Sequence, residues 1–366
     1  MTCSLFKKLL CSLLDGTEIL YDDFVLHDSV IFTLQTYVKI LPFGNYCLIF
    51  EDCKVNLNMI TNPPVKINLG LNVLRKRSDG YHDLDTLFIP SHQITDTLEI
   101  ISGDDYSRTS ARLNSIYGGN SRIENDSLSE DEEIPTLSQA ISEDGKLMIT
   151  VARKEGVDWP VLKDLCAKAY LLLNEDYKLP SVKIFLEKTS PVGAGLGGGS
   201  ADAAYTLKML SEMFGLGLDN AKLAEYASRL GSDCAFFIWD RPMRGEGRGE
   251  ILTPFDLNIN ITDPGENPEN DGKPSYELQI LTPEGVSVST AEAYRGIVPT
   301  VPERSLAEVL SLPVSEWKEL LVNDFEQTVF KAHPELAAIK KSLYDSGADY
   351  AAMSGSGSAL FALYKR

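Results

Sequence analysis

The stretch SVKIFLEKTSPVGAGLGGGS, residues 181–200, decides the fold. Ser181 to Glu187 reads as a strand, and an amphipathic helix is expected from near Ser200 to Phe214. Between them lie Gly193, Gly195, Gly197, Gly198 and Gly199. Glycines let backbone N–H groups close on an anion with no Cβ in the way, and the helix that follows presents its positive end. That end carries roughly half a unit charge, so a phosphate is the natural occupant. Ser200 would act as helix N-cap, or as a ligand to phosphate or to a metal-bound water. A flexible glycine linker is the bland alternative, but linkers do not sit between a buried strand and a capped helix.

Two other phosphate motifs fit poorly. Gly193, Gly195 and Gly198 satisfy G-x-G-x-x-G, but Thr189-Ser190-Pro191 separates them from the strand, and Asp219, about 20 residues on, opens a helix instead of ending a strand. A Walker A loop needs a lysine after the glycines, and none follows.

Upstream, Val65, Ile67, Leu69, Leu71 and Val73 alternate with Lys66, Asn68, Gly70 and Asn72, the period of a half-buried strand. Asp79-Gly80 marks a turn. Further strands are expected at Asp85 to Ile89, Thr97 to Ile101 and Lys146 to Ala152, with a helix over about 161–174. Residues 103–145 are rich in Ser, Asp, Glu and Asn, and read as a mobile polar insertion. Downstream, Asp219 caps a helix that stops at Gly231. A polar segment at 262–275 reads as a hairpin tip or loop. Helices follow at about 303–311, 315–332 and 334–346. Strands near Tyr350 to Met353 and Ala359 to Tyr364 flank Ser354 to Ser358. Runs of strands beside runs of helices indicate an α+β class with two domains.

The chain has 366 residues, with 43% hydrophobic and 24% charged, as in ordinary globular proteins. No apolar run approaches the ~20 residues of a membrane helix. A formal net charge of −19 argues against a nucleic-acid partner. Six cysteines without C-x-x-C spacing, and four histidines, give no metal-ligand pattern; reduced thiols in the cytoplasm are expected. Residues 1–58 hold four of those cysteines and no clean period, so they read as an atypical extension, from an upstream start or as an accessory arm. They show neither a signal-peptide cleavage pattern nor transit-peptide character.

Phosphoryl transfer needs positioning, charge neutralisation and a group to orient the attacking hydroxyl. Asp233, in Gly231-Ser232-Asp233 just before the apolar run Cys234 to Trp239, is a candidate base, although alone it would more often be a turn residue. Val65-Lys66-Ile67-Asn68-Leu69, Asp79-Gly80-Tyr81-His82, the loop 191–204, Gly231 to Phe237 and Met353 to Ser358 occur in this order. Together they resemble the GHMP kinases from about residue 60 onward, outside the segments 103–145 and 262–275. The glycine loop is shared by the whole superfamily, whereas Lys66-x-Asn68 with Asp79-Gly80-Tyr81-His82 is more specific to its members acting on a cytidyl substrate.

The resemblance implies a two-domain fold: an N-terminal domain like ribosomal protein S5 domain 2 over 59–245, and a ferredoxin-like C-terminal domain over 246–366. It implies ATP, with Mg2+ bound to it, in the loop formed by Pro191, Gly193, Ala194, Gly195, Leu196, Gly197, Gly198, Gly199, Ser200 and Ala201. Asp233 would be the base for the acceptor hydroxyl, with Lys66 beside it. Asn68, Tyr81, His82, Thr290, Tyr294 and Gly355 would bind a cytidyl-diphosphate alcohol, the two tyrosine rings sandwiching the base and His82 reading its edge. Gly355 and Gly357 match a second glycine motif, and 245–250 matches a segment of structural role. A monomer or homodimer is expected. Where relatives often carry Asp-Asn-Leu on the adenosine side, this chain has Lys163-Asp164-Leu165. Another kinase of the superfamily, of homoserine or mevalonate type, and a non-catalytic regulator on the same fold remain alternatives.

Overall fold

The computed structural model describes residues 24–25, 30–33, 56–102, 108–123, 134–268 and 271–366. Strands in these residues form sheets of eight, four and four strands, and the architecture is α+β. Among them no helix is long and apolar enough to cross a membrane.

In the largest sheet, strand Val182–Lys188 lies between Thr97–Ser102, antiparallel to it, and Leu147–Arg153, parallel to it. Helices Leu165–Tyr177, Gly198–Met213, Asn220–Leu230 and Cys234–Trp239 contribute to the core beside this sheet, with Tyr170, Leu207, Leu210, Phe236 and Phe237 buried together. The second sheet runs in the order Ile251–Pro254, Met243–Gly247, His82–Ser91, Val65–Lys76. The third runs Asn260–Thr262, Ser275–Leu281, Leu360–Lys365, Tyr350–Met353.

Strand Val65–Lys76 departs from the half-buried reading, because both its faces are buried from Val65 to Val73. The apolar face enters a core with Leu306, Trp317 and Phe361. The polar face packs instead against the glycine loop, so alternation marked two different neighbours and not solvent. At Gly70 the register slips between Leu69 and Leu71; φ is +75°, and a Cβ would stand 2.6 Å from Leu321 Cδ1. Leu71 also forms a bridge with Asn323.

The segment 103–145, expected as a mobile insertion, contains helix Arg108–Tyr117 and strands Ser121–Ile123 and Leu137–Ile141; residues 103–107 and 124–133 lie outside the described set. Leu113 supplies the missing apolar anchor, fully buried among Ile101, Ala152 and Phe185. Tyr117 Oη donates to Glu187 at 3.0 Å, and Arg112 pairs with the same carboxylate. The helix expected over 315–332 is broken into Trp317–Leu320 and Glu326–Ala332, because Leu321 to Asp324 extends to bond the backbone of Leu71. The polar segment at 262–275 is a loop, not a hairpin tip, since the strands it joins are parallel. The boundaries drawn before residues 59 and 246 fall inside strands Asn56–Thr61 and Met243–Gly247. Phe24–Val25 and Val30–Thr33 extend the large sheet, and the rest of 1–55 lies outside the described residues.

Candidate active site

The loop after Lys188 turns through Gly193, Gly195 and Gly197, all at positive φ, and enters helix Gly198–Met213. Gly197 is the N-cap, so Ser200 lies inside the first turn and is not the cap. No side chain caps this end, which leaves the first-turn amides of a 16-residue helix open to an anion. At Gly195 a Cβ would fall 2.1 Å from Ser354 O, so only glycine lets the two glycine-rich loops meet. Three bonds pin the middle of the loop. Lys66 N donates to Leu196 O at 2.9 Å, Ala359 N to Ala194 O at 3.1 Å, and Ser354 Oγ to Gly195 O at 3.0 Å.

Lys66 is buried and ties the parts together. Its ammonium donates to Asn68 Oδ1 at 2.6 Å and to Gly195 O at 2.8 Å, and stands 3.4 Å from Asp233 Oδ2. Burial pulls its pKa down from the ordinary lysine value, while the Asp233 carboxylate opposes that fall. Asp233 itself, at the N-cap of Cys234–Trp239, keeps 31% of its side chain exposed, enough to meet a substrate hydroxyl. The neighbouring Cys234 thiol is pushed up to about 12 by burial, which removes it as a nucleophile.

The polar residues expected to bind an acceptor are spread over this rim. Asn68 is engaged inside, accepting from Lys66 and donating to Thr86 Oγ1 at 3.0 Å. Gly355, at φ +54°, packs on Gly195 and on Asn68. His82 and Tyr294 stack, with ring centroids 4.6 Å apart and planes at 20°. Tyr294 is half-buried, and its phenol is pushed up to about 12, first by burial and then by the charge of Asp233. Thr290 opens the short helix Thr290–Tyr294, one turn from Tyr294 and exposed. Tyr81 is 54% exposed, and the Arg248 guanidinium lies 5.0 Å from its ring centroid. Asp164 caps helix Leu165–Tyr177 and uses both oxygens internally, accepting from Cys166 N at 2.9 Å and Trp159 Nε1 at 3.1 Å.

Sequence reasoning missed three contributors. Arg248 was taken as part of a structural segment, yet its turn abuts the site, with a Cβ on Gly249 placed 4.0 Å from Asp233 Oδ1. Asn323 donates to Met353 O at 2.7 Å and Gly355 O at 2.9 Å, fixing the second glycine loop. Lys188 forms a buried cluster with Asp96 and Asp202 beside the first. No local pattern in the sequence signals any of these.

A glycine loop at an open helix end, with a lysine–aspartate pair at its rim, defines a phosphotransferase site for a small alcohol. Residues 164–241 match the family model for the GHMP kinases N terminal domain, and residues 307–366 match that for the GHMP kinases C terminal. The 4-diphosphocytidyl-2-C-methyl-D-erythritol kinase of Bacteroides fragilis is 43% identical over 306 residues, 84% of this chain and 92% of that protein. That of Parabacteroides distasonis is 40% identical over 308 residues, again 84% and 92%. A crystal structure of 4-(cytidine 5'-diphospho)-2C-methyl-D-erythritol kinase superposes with a TM-score of 0.57 at 28% identity, covering 83% of this chain and 90% of that one. The chain belongs to the GHMP kinases and, within them, to the 4-diphosphocytidyl-2-C-methyl-D-erythritol kinase family.

Proposed function

We propose that the protein transfers the γ-phosphoryl group of ATP to the 2-hydroxyl of 4-diphosphocytidyl-2-C-methyl-D-erythritol, giving the 2-phosphate and ADP, in the non-mevalonate route to isoprenoid precursors. The observation that carries this reading is the Lys66–Asp233 pair beside the uncapped start of helix Gly198–Met213. The loop amides hold the donor phosphates. As the acceptor oxygen bonds to the γ-phosphorus, the bond to the bridging oxygen of ADP breaks and the hydroxyl proton passes to Asp233. Lys66 keeps that carboxylate ionised and offsets charge on the transferring group.

ATP brings Mg2+, which neutralises charge on the phosphates. Among the described residues no cluster of His, Cys, Asp or Glu could hold a metal by itself, so the ion would keep mainly phosphate and water ligands, with the Ser200 hydroxyl in the first turn of the helix as an oxygen donor that suits it. The cytosine stacks on the open face of Tyr81, with His82 and Tyr294 closing the pocket. Burial and the nearby Lys76 lower the His82 pKa, so its neutral ring can give and take hydrogen bonds at pH 7. The protein acts in the cytoplasm, as a monomer or homodimer.

The test is a coupled ADP-release assay with the cytidyl substrate, and with homoserine and mevalonate as controls. Turnover is expected only with the cytidyl compound. Equal turnover of an acceptor lacking the cytidyl group would overturn the substrate assignment.

A further inference from the structure

Lys188, Asp96 and Asp202 are 4%, 1% and 1% exposed, and no step of the proposed reaction uses them. Lys188 ends the strand before the glycine loop, and Asp202 lies in the helix after it. The Lys188 ammonium donates to Asp202 Oδ2 at 2.6 Å, to Ser190 Oγ at 3.1 Å, and to Asp96. Asp96 Oδ1 accepts from the backbone of Thr189 and of Ser190, each at 2.7 Å, and Ser190 Oγ donates to Asp96 Oδ2 at 2.6 Å. Asp96 in turn is held by its own N–H to Pro63 O at 3.1 Å, and Asn62 Nδ2 donates to its carbonyl at 3.2 Å.

We propose that this cluster is a positioning clamp for the phosphate loop, joining the strand end at 188–190 to the first helical turns at 202 across a segment with little stiffness of its own. The inference rests on the reading of that loop as the ATP site. Three positive-φ glycines give the intervening residues wide conformational freedom, so their amides converge on an anion only if both ends are fixed. The middle is already held by Lys66 and Ser354. The clamp fixes the ends.

Two observations separate this from a device for stability alone. Asp202 Oδ1 is buried without a hydrogen-bond partner, so the cluster is not arranged for the fullest satisfaction of its charges. Buried ion pairs in general add little net stability, because the cost of desolvating the charges offsets their attraction. The cluster also touches the helix start itself: a Cβ on Gly198 would lie 2.2 Å from Ser190 Oγ and 3.4 Å from Lys188 Nζ. A shift of the lysine would therefore be felt at the first residue after the loop.

The test measures ADP affinity by calorimetry, together with steady-state constants and melting temperature, for Asp202→Ala, Asp202→Asn, Lys188→Met and the milder Ser190→Ala. Loss of the clamp is expected to weaken ADP binding and raise KM for ATP about tenfold or more, roughly 1.4 kcal/mol, with KM for the acceptor changed less than about twofold. Asp202→Asn keeps an oxygen for Lys188 and should restore most of the affinity. If the charge-removing variants do not fold, Ser190→Ala must show a smaller shift of the same selectivity. A fall in melting temperature with unchanged ADP affinity in the folded variants would overturn the clamp. Wild-type protein that binds ADP but fails to phosphorylate the cytidyl acceptor would count against the proposed function and leave the clamp standing.

Discussion

The ammonium of Lys66 stands 3.4 Å from the Asp233 carboxylate while also bonding the carbonyl of Gly195. One cation thus touches the proposed base for the acceptor and the proposed loop for the donor. Removing the base without removing that link separates chemistry from binding. Asp233→Asn is expected to lower kcat by about 10²–10⁴-fold, the usual contribution of a general base, with ADP affinity nearly unchanged. Undiminished turnover in this variant would remove Asp233 from the mechanism.

The depressed pKa of Lys66 sets the alkaline limb of the rate profile. Its folded value lies below the ordinary 10.5, because burial disfavours the ammonium, so its charge is lost as pH rises through a value lower than that of a free lysine. We expect kcat to fall before pH 10.5 is reached. Lys66→Arg, whose guanidinium stays charged, should lack this limb in whatever activity it retains. A limb of unchanged position in the arginine variant would assign it to another group.

The close approach of Gly195 to Ser354 makes a sharp steric prediction. Alanine at 195 places a methyl on a backbone carbonyl in a conformation L-residues rarely adopt. Gly195→Ala should cost about 1–3 kcal/mol of stability and strongly raise KM for ATP. Gly193→Ala meets nothing within 4 Å and carries only the φ penalty, so it should be the milder of the two. Paired denaturation and kinetic curves give the comparison.

His82 titrates below its ordinary 6.5, so it is neutral at pH 7 and becomes charged only under more acidic conditions. KM for the acceptor should stay flat from pH 8 to 6.5 and rise as pH falls further. His82→Gln should flatten that rise. An unaltered acid limb in His82→Gln would show that the histidine does not read the base.

Tyr294 offers a comparison of ring with hydroxyl. Tyr294→Ala removes the ring that stacks on His82, and should raise KM for the acceptor by about two- to tenfold, matching the ~0.5–1.5 kcal/mol of an aromatic pair. Tyr294→Phe keeps the ring and should behave almost as wild type. Acceptor titrations at saturating ATP distinguish the two.

Sequence and structure agree most where a single local force acts. The strand Val65–Lys76 was legible because β-branched and aliphatic residues alternate, and the loop because nothing but glycine suits so tight a path around an anion. Lys66 and Asp233 could be paired only through the family resemblance, since no local pattern links them. What alternation concealed was the second neighbour: Lys66, Asn68 and Asn72 look like a solvated face and are buried at 3%, 2% and 7% exposure. Asp96, Lys188 and Asp202 were illegible for a related reason. Each resembles an ordinary surface charge until the fold brings them into one buried group. The break at Leu321 to Phe325 was hidden because the segment is apolar enough for a helix, and its extension is imposed by bonds to distant Leu71. Composition also misjudged 103–145, where a few apolar residues, Leu113 and Leu137 among them, anchor an otherwise polar segment.

The bulge at Gly70 gives the strand a second duty. On one side of it the chain carries Lys66; on the other Leu71 is stitched by backbone bonds to Val322 and Asp324 around Asn323, and through Asn323 to the second glycine loop. The two halves of the molecule are therefore not modules that could be exchanged or expressed apart. A chain divided at residue 246 would part Met243–Gly247 from its partner Ile251–Pro254 and strip Val65, Ile67 and Leu69 of the core formed by Leu306, Trp317 and Phe361. Catalysis and inheritance share that constraint: a recombinant between two relatives would have to carry this strand and the segment around Asn323 from the same parent.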